Sequence, residues 1–137
     1  MNASARILIV EDEAFQLNYL KSVFEQVFGN VVCADSGAKA IEALDRAFAE
    51  KTYFTFLFLD VGLPDTTGHK ILELLRQHEA EHGLPHDKRC RVVMQTAFGD
   101  LKNSAGAFSA DCDYYLVKPY SKKQIEELLA KLSSALE

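Results

Sequence analysis

The sequence predicts an α/β fold: a parallel sheet covered by helices on both faces. Three observations carry that prediction. Five short apolar segments, 6–10, 31–34, 54–59, 91–95 and 114–117, alternate with stretches whose apolar residues recur at helical spacing. The run at 54–59, FTFLFL, is as apolar as a strand buried on both sides in the middle of a parallel sheet. That run stops at Asp60, ahead of a loop with Pro64 and Gly68. A carboxylate is thereby placed at a strand C-terminus, where open α/β sheets carry their chemistry.

Taken in order, residues 6–10 (RILIV) form the first strand, which ends in the acidic cluster Glu11, Asp12, Glu13. Leu17, Leu20, Phe24 and Val27 then recur at helical spacing, and Gly29-Asn30 reads as the stop of that helix. Residues 31–34 are the second strand. Ser36 is the expected N-cap of the next helix, whose apolar face is Ala40, Ile41, Leu44, Ala47 and Phe48. After the strand at 54–59 and its loop, Ile71, Leu72, Leu74 and Leu75 mark a third helix. Residues 83–90 (GLPHDKRC) read as a polar loop, somewhat long for such a connection. The strand at 91–95 ends at Thr96.

A fourth helix is expected over 99–110 on poor composition. Asn103, Ser104, Gly106 and Ser109 are weak helix formers, and a glycine alone costs about 1 kcal/mol against alanine. The fifth strand, 114–117, ends at Lys118-Pro119. Ser121 with Gln124 makes a capping box for a closing helix lined by Ile125, Leu128, Leu129, Leu132 and Leu136. Five strands alternating with five helices imply right-handed crossovers. The alternation does not settle strand order. The flavodoxin-like doubly wound order 2-1-3-4-5 is one of the few common choices, and it is the expectation adopted.

At 137 residues the chain is expected to be a single domain, 1–137, with a proper core. Apolar residues at 48% and charged residues at 26% are an ordinary globular balance. No apolar run approaches the roughly eighteen residues of a membrane span, and MNASAR lacks the apolar core of a signal peptide. These point to a cytoplasmic protein with no membrane partner. Cys33, Cys90 and Cys112 are scattered and read as free thiols near strands. A net charge of −5 argues against nucleic acid as a direct partner. No internal repeat, low-complexity stretch or linker is present, and a monomer or weak dimer is expected.

In the order 2-1-3-4-5, the strands ending in Glu11-Asp12, Asp60, Thr96 and Lys118 are neighbours, so these residues converge on one crevice. Carboxylates packed together raise one another's pKa unless a cation intervenes. A hard divalent ion with oxygen ligands, Mg²⁺, suits such a group better than zinc. Carboxylates, a metal, a lysine and a hydroxyl are the parts that handle a phosphoryl group, with Asp60 as attacking nucleophile giving an acyl phosphate.

The pieces ILIVEDE, LFLDVGLPDTTG, VVMQTA and YYLVKPY occur in order and at suitable intervals. On them the chain resembles the CheY-like receiver domains of two-component response regulators over nearly its whole length. The resemblance implies that Asp60 accepts a phosphoryl group from a phosphohistidine on a sensor histidine kinase or a histidine phosphotransfer protein. It implies that Glu11, Asp12, Asp60 and the backbone carbonyl of Gly62 hold Mg²⁺, and that Thr96 and Lys118 bind phosphoryl oxygens. It further implies that Tyr115 is a switch aromatic and that the Lys118–Pro119 bond is cis. The chain then only catalyses its own phosphorylation and dephosphorylation, and is not otherwise an enzyme. Its output face is expected over 99–110, 114–118 and 121–130, with Leu101, Phe108 and Tyr120 as exposed contacts for an output protein. Phe15 reads as core or as an exposed contact for the kinase helix bundle. Because the chain starts at Met1 and ends with the closing helix, a stand-alone protein is expected, with a receiver cut from a hybrid kinase as the alternative.

Three departures from the family pattern carry information. Glu11 replaces the commoner aspartate. Gly62 and Phe98 stand at the two positions that tune hydrolysis, and neither offers a polar side chain to water, so slow loss of phosphoryl is expected. Other readings are weaker. A flavodoxin-like carrier would need a hydroxyl- and glycine-rich loop after the first strand, where acids sit instead. An aspartyl phosphohydrolase would need a second aspartate where Gly62 stands. The string His78-Glu79-Ala80-Glu81-His82 matches the zinc-protease motif H-E-x-x-H, but its flanks are polar and Gly83 ends the helix at once. It reads as a solvated helix end.

Overall fold

The computed structural model describes residues 2–97 and 112–136. The elements are β1 (Asn2–Val10), α1 (Ala14–Phe24), β2 (Phe28–Ala34), α2 (Gly37–Glu50), β3 (Phe56–Asp60), α3 (Gly68–Glu81), a 3₁₀ turn at His86–Lys88, β4 (Arg91–Ala97), β5 (Tyr114–Lys118) and α4 (Lys122–Ser134). All strand pairs are parallel, in the order β2-β1-β3-β4-β5, as expected. The helix expected over 99–110, with Phe98, Leu101 and Phe108, lies outside the described residues.

Alternation along the strands splits the core into two layers. Leu8, Val10, Leu57, Leu59, Val92 and Met94 pack against Ala40, Leu44 and Phe48 of α2 and Ile71, Leu72 and Leu75 of α3. Ile7, Ile9, Phe56, Phe58 and Val93 pack against Leu20 and Phe24 of α1 and Ile125, Leu128, Leu129 and Leu132 of α4. Burying each such side chain contributes roughly 1.5–3 kcal/mol. This is why β3, at the centre of the sheet, has no polar residue before Asp60.

Ser36 caps α2 by accepting from Lys39 N–H. Both halves of the Ser121–Gln124 capping box are formed at α4. None of the three cysteines is in a disulfide, and the Lys118–Pro119 peptide is cis.

Several boundaries differ from the sequence reading. α1 ends at Phe24, Val27 lies beyond it, and Gly29-Asn30 lie within β2 rather than stopping a helix. The reason is Phe28, fully buried against Phe24 at 6.3 Å and Phe56 at 5.5 Å between ring centroids, which draws the chain into the sheet early. Gly29 adopts no left-handed conformation; Gly83, after α3, does (φ 63°). Leu136 lies past α4 and is exposed. Thr96 lies inside β4 rather than at its end.

The H-E-x-x-H stretch is not simply solvated. Glu79 is buried; it accepts from Cys90 N–H at 2.6 Å and from Arg76 at 2.8 Å, and Arg76 also donates to the Cys90 carbonyl at 2.8 Å. The end of α3 is thereby clamped to the start of β4. His78 stacks on Phe48 at 4.7 Å with Nε2 2.8 Å from Asp45 Oδ1, and His82 Nδ1 lies 2.9 Å from the His78 carbonyl. The would-be catalytic glutamate is thus spent on structure.

Candidate functional site

Glu11 and Asp12 follow the last residue of β1, Asp60 ends β3, and Lys118 ends β5. Parallel strands in this order bring those ends to one rim. Ligand oxygens of Glu11, Asp12 and Asp60 lie within 4.8 Å of one another; Glu11 and Asp60 are buried and Asp12 is exposed. Among the described residues this is the group suited to a metal ion. Lys118 Nζ donates to Asp60 Oδ2 at 2.9 Å and stands 3.6 Å from Glu11 Oε2. The other Asp60 oxygen, Oδ1, accepts from Gly62 N–H at 3.1 Å.

The loop after β3 is held in place by tight packing. Gly68 N–H donates to the Val61 carbonyl at 2.9 Å, and Gly62 bridges Thr67. A Cβ on Gly68 would lie 2.8 Å from the Asp60 carbonyl oxygen and 2.9 Å from Val61 Cα, so only glycine fits without moving Asp60. Asp65 reaches across to accept from Gly37 and Ala38 N–H at 2.8 and 2.9 Å, tying the loop to the N-terminus of α2. Those two bonds hold the Asp65 carboxyl below the usual range.

Three carboxylates face one ammonium. A like-charge pair 4 Å apart costs about 4 kcal/mol at an effective dielectric near 20. Burial, and then the Asp60 charge, push the Glu11 carboxyl above its usual range, with Lys118 opposing. Burial pulls the Lys118 ammonium down, but the two carboxylates outweigh it and its pKa is raised. This excess of negative charge on hard oxygen donors, with no sulfur or imidazole in the set, fits Mg²⁺.

Thr96 is buried, but its hydroxyl donates to the Ala97 carbonyl at 3.3 Å and does not reach the carboxylates. Tyr115 points outward, 50% exposed, and Phe15 is 81% exposed. Tyr120, expected as an exposed contact, is instead half-buried and turned inward, its hydroxyl bonded to Gln95 Oε1 at 3.2 Å and to Gln16. Burial raises its phenol pKa. Gln95, fully buried in β4, was not singled out from the sequence; it donates to Glu11 Oε2 at 2.8 Å. Its signal was available: a lone amide in the apolar run RVVMQTA needs a buried partner, because an unpaired one costs about 1–3 kcal/mol.

Comparison with known proteins agrees with this geometry. The response regulator receiver domain family matches residues 7–130. The regulatory protein VanRB of Enterococcus faecalis is 33% identical over 132 residues, covering 93% of this chain and 54% of VanRB. The sensor histidine kinase GacS of Pseudomonas protegens is 28% identical over 127 residues, covering 92% of this chain and 13% of the kinase. The chain thus spans about half the length, or less, of these curated relatives. The crystal structure of a CheY-like response regulator receiver domain protein from Methanospirillum hungatei superposes with a TM-score of 0.70 at 26% identity, covering 96% of each chain. A rim of two acids, an aspartate and a lysine on a sheet of order 2-1-3-4-5, together with a match over residues 7–130, establishes that this chain belongs to the response regulator receiver domain family.

Proposed function

We propose that the chain is a phosphoacceptor that takes a phosphoryl group from a histidine kinase or histidine phosphotransfer protein onto Asp60. The observation that carries this reading is the setting of Asp60: one oxygen on the Lys118 ammonium at 2.9 Å, and two further carboxylates within 4.8 Å. In the step, an Asp60 carboxylate oxygen forms a bond to phosphorus as the P–N bond of the phosphohistidine breaks, and the imidazole keeps the electron pair. Gly62 N–H and Lys118 orient the two Asp60 oxygens before attack. Lys118 then balances charge on the transferred group. Glu11, Asp12, Asp60 and the Gly62 carbonyl would hold Mg²⁺, which when bound offsets the phosphoryl and carboxylate charge.

The acyl phosphate carries about two negative charges where the free aspartate carried one, and it brings strong new acceptor oxygens. Thr96 would release the Ala97 carbonyl to donate to a phosphoryl oxygen, and Tyr115 would turn from solvent into the space left behind. The surface altered would be 114–118 with 121–130, which an output protein would read; the 99–110 part of the expected output face lies outside the described residues. Phe15, exposed on α1, is the apolar contact offered to the kinase helices.

Incubation with acetyl phosphate and Mg²⁺, read by intact mass, tests the reading. Wild type should gain one phosphoryl group and Asp60→Ala none. An adduct that persists in Asp60→Ala would refute the assignment.

A further inference from the structure

Glu11 is one methylene longer than aspartate, and its carboxylate has one more rotatable bond with which to leave the rim. Both oxygens are held nonetheless. Oε1 accepts from Glu13 N–H at 3.2 Å, and Oε2 accepts from the Gln95 amide at 2.8 Å. Gln95 is itself fixed from behind: its Oε1 accepts from the Tyr120 hydroxyl at 3.2 Å, and that hydroxyl accepts from Gln16 Nε2.

The direction of this relay is forced. An ionised carboxylate only accepts, so Gln95 must turn its NH₂ to Glu11 and its oxygen to Tyr120. Tyr120 must then donate to Gln95 and can accept from Gln16. Gln95 and Glu11 are 0% and 2% exposed, so water does not substitute for these bonds from outside. A carboxylate has about four lone-pair sites, so both Glu11 oxygens keep capacity for a metal ion after these two bonds.

We infer that Gln95 is a positioning residue for Mg²⁺ binding: it holds the longer Glu11 side chain in the one orientation that keeps its carboxylate beside Asp12 and Asp60, and Tyr120 and Gln16 orient Gln95. The inference rests on the metal reading proposed above. Its consequence is that the dependence on Gln95 belongs to glutamate at position 11 and not to an acid there in general.

A double-mutant cycle tests this. Mg²⁺ affinity is measured by titration calorimetry for wild type, Gln95→Leu, Glu11→Asp and the double variant, with melting temperatures recorded for each. Removing a group that orients a metal ligand weakens binding by about 10–100-fold, and that is the loss expected for Gln95→Leu. In the Glu11→Asp background the same change should cost less than roughly twofold, so that the two substitutions are non-additive, as residues in contact are. Tyr120→Phe, which keeps Gln95 but frees it, should lose less than Gln95→Leu; if Gln95→Leu does not fold, Gln95→Met takes its place in the cycle. An equal loss in both backgrounds, or a lower melting temperature with unchanged affinity, would make Gln95 merely structural and overturn the inference. Absence of Mg²⁺ binding by wild type would instead remove the metal reading, and the inference with it.

Discussion

Glu11 shows how one residue's environment sets a measurable pH dependence. Burial and the Asp60 charge raise its pKa, so the folded chain holds that proton more tightly than the unfolded one does. The stability this contributes is fully present below the ordinary carboxylate pKa of 4.5 and is lost as pH rises through the raised value. Glu11→Gln removes the loss. Without Mg²⁺ at pH 7 the variant should melt above wild type, and the gap should narrow as pH falls toward the ordinary range. Calorimetric scans in a chelator read this; a variant that melts lower at neutral pH contradicts it. Gly62 offers a second single-residue test. A side chain there meets nothing within 4 Å, so Gly62→Asn places an amide beside the Asp60 loop without strain. Phosphoryl loss from the loaded protein should then speed up severalfold, short of the roughly 10²–10⁴-fold that general acid–base catalysis contributes. An unchanged decay rate would show that water access is controlled elsewhere.

Among the elements, the loop after β3 and the end of α3 bear the most local constraint. Gly68→Ala forces a Cβ against the Asp60 and Val61 backbone. Overpacking of this kind costs about 1–3 kcal/mol, and here it also displaces the aspartate, so urea unfolding and phosphorylation rate should fall together. At the other end of α3, Glu79→Ala leaves Cys90 N–H and the Arg76 guanidinium without their shared acceptor. Arg76 keeps the Cys90 carbonyl and Asp113, so the cost is that of the orphaned Cys90 N–H, about 1–3 kcal/mol, and the urea midpoint should drop accordingly with Mg²⁺ affinity unchanged. The sequence marked Gly68 as a loop glycine ahead of a helix. It did not mark Glu79, because a glutamate within HEAEH looks the same on paper whether it faces solvent or a strand.

For the molecule as a whole, the sheet is a frame that brings the ends of β1, β3 and β5 together, and Mg²⁺ is expected to stabilise it by linkage. At a free concentration one hundred times its dissociation constant, a ligand of the folded state adds about 2.7 kcal/mol. Unfolding with and without chelator should show an increment of that order in wild type and little in Glu11→Gln. No helix among the described residues is long and apolar enough to cross a membrane.

The succession of strands and helices, the double-sided burial of β3, and the placing of Glu11, Asp12, Asp60 and Lys118 at strand ends were determined by the sequence itself. Periodicity and strand-end chemistry are local properties, written in neighbouring residues. Which buried polar groups meet was decided only in three dimensions. Gln95 finds Glu11 across 84 positions, and Tyr120 turns inward to find Gln16 across 104. A hydrogen bond is specified by the distance and angle between two groups, and no spacing along the chain encodes either.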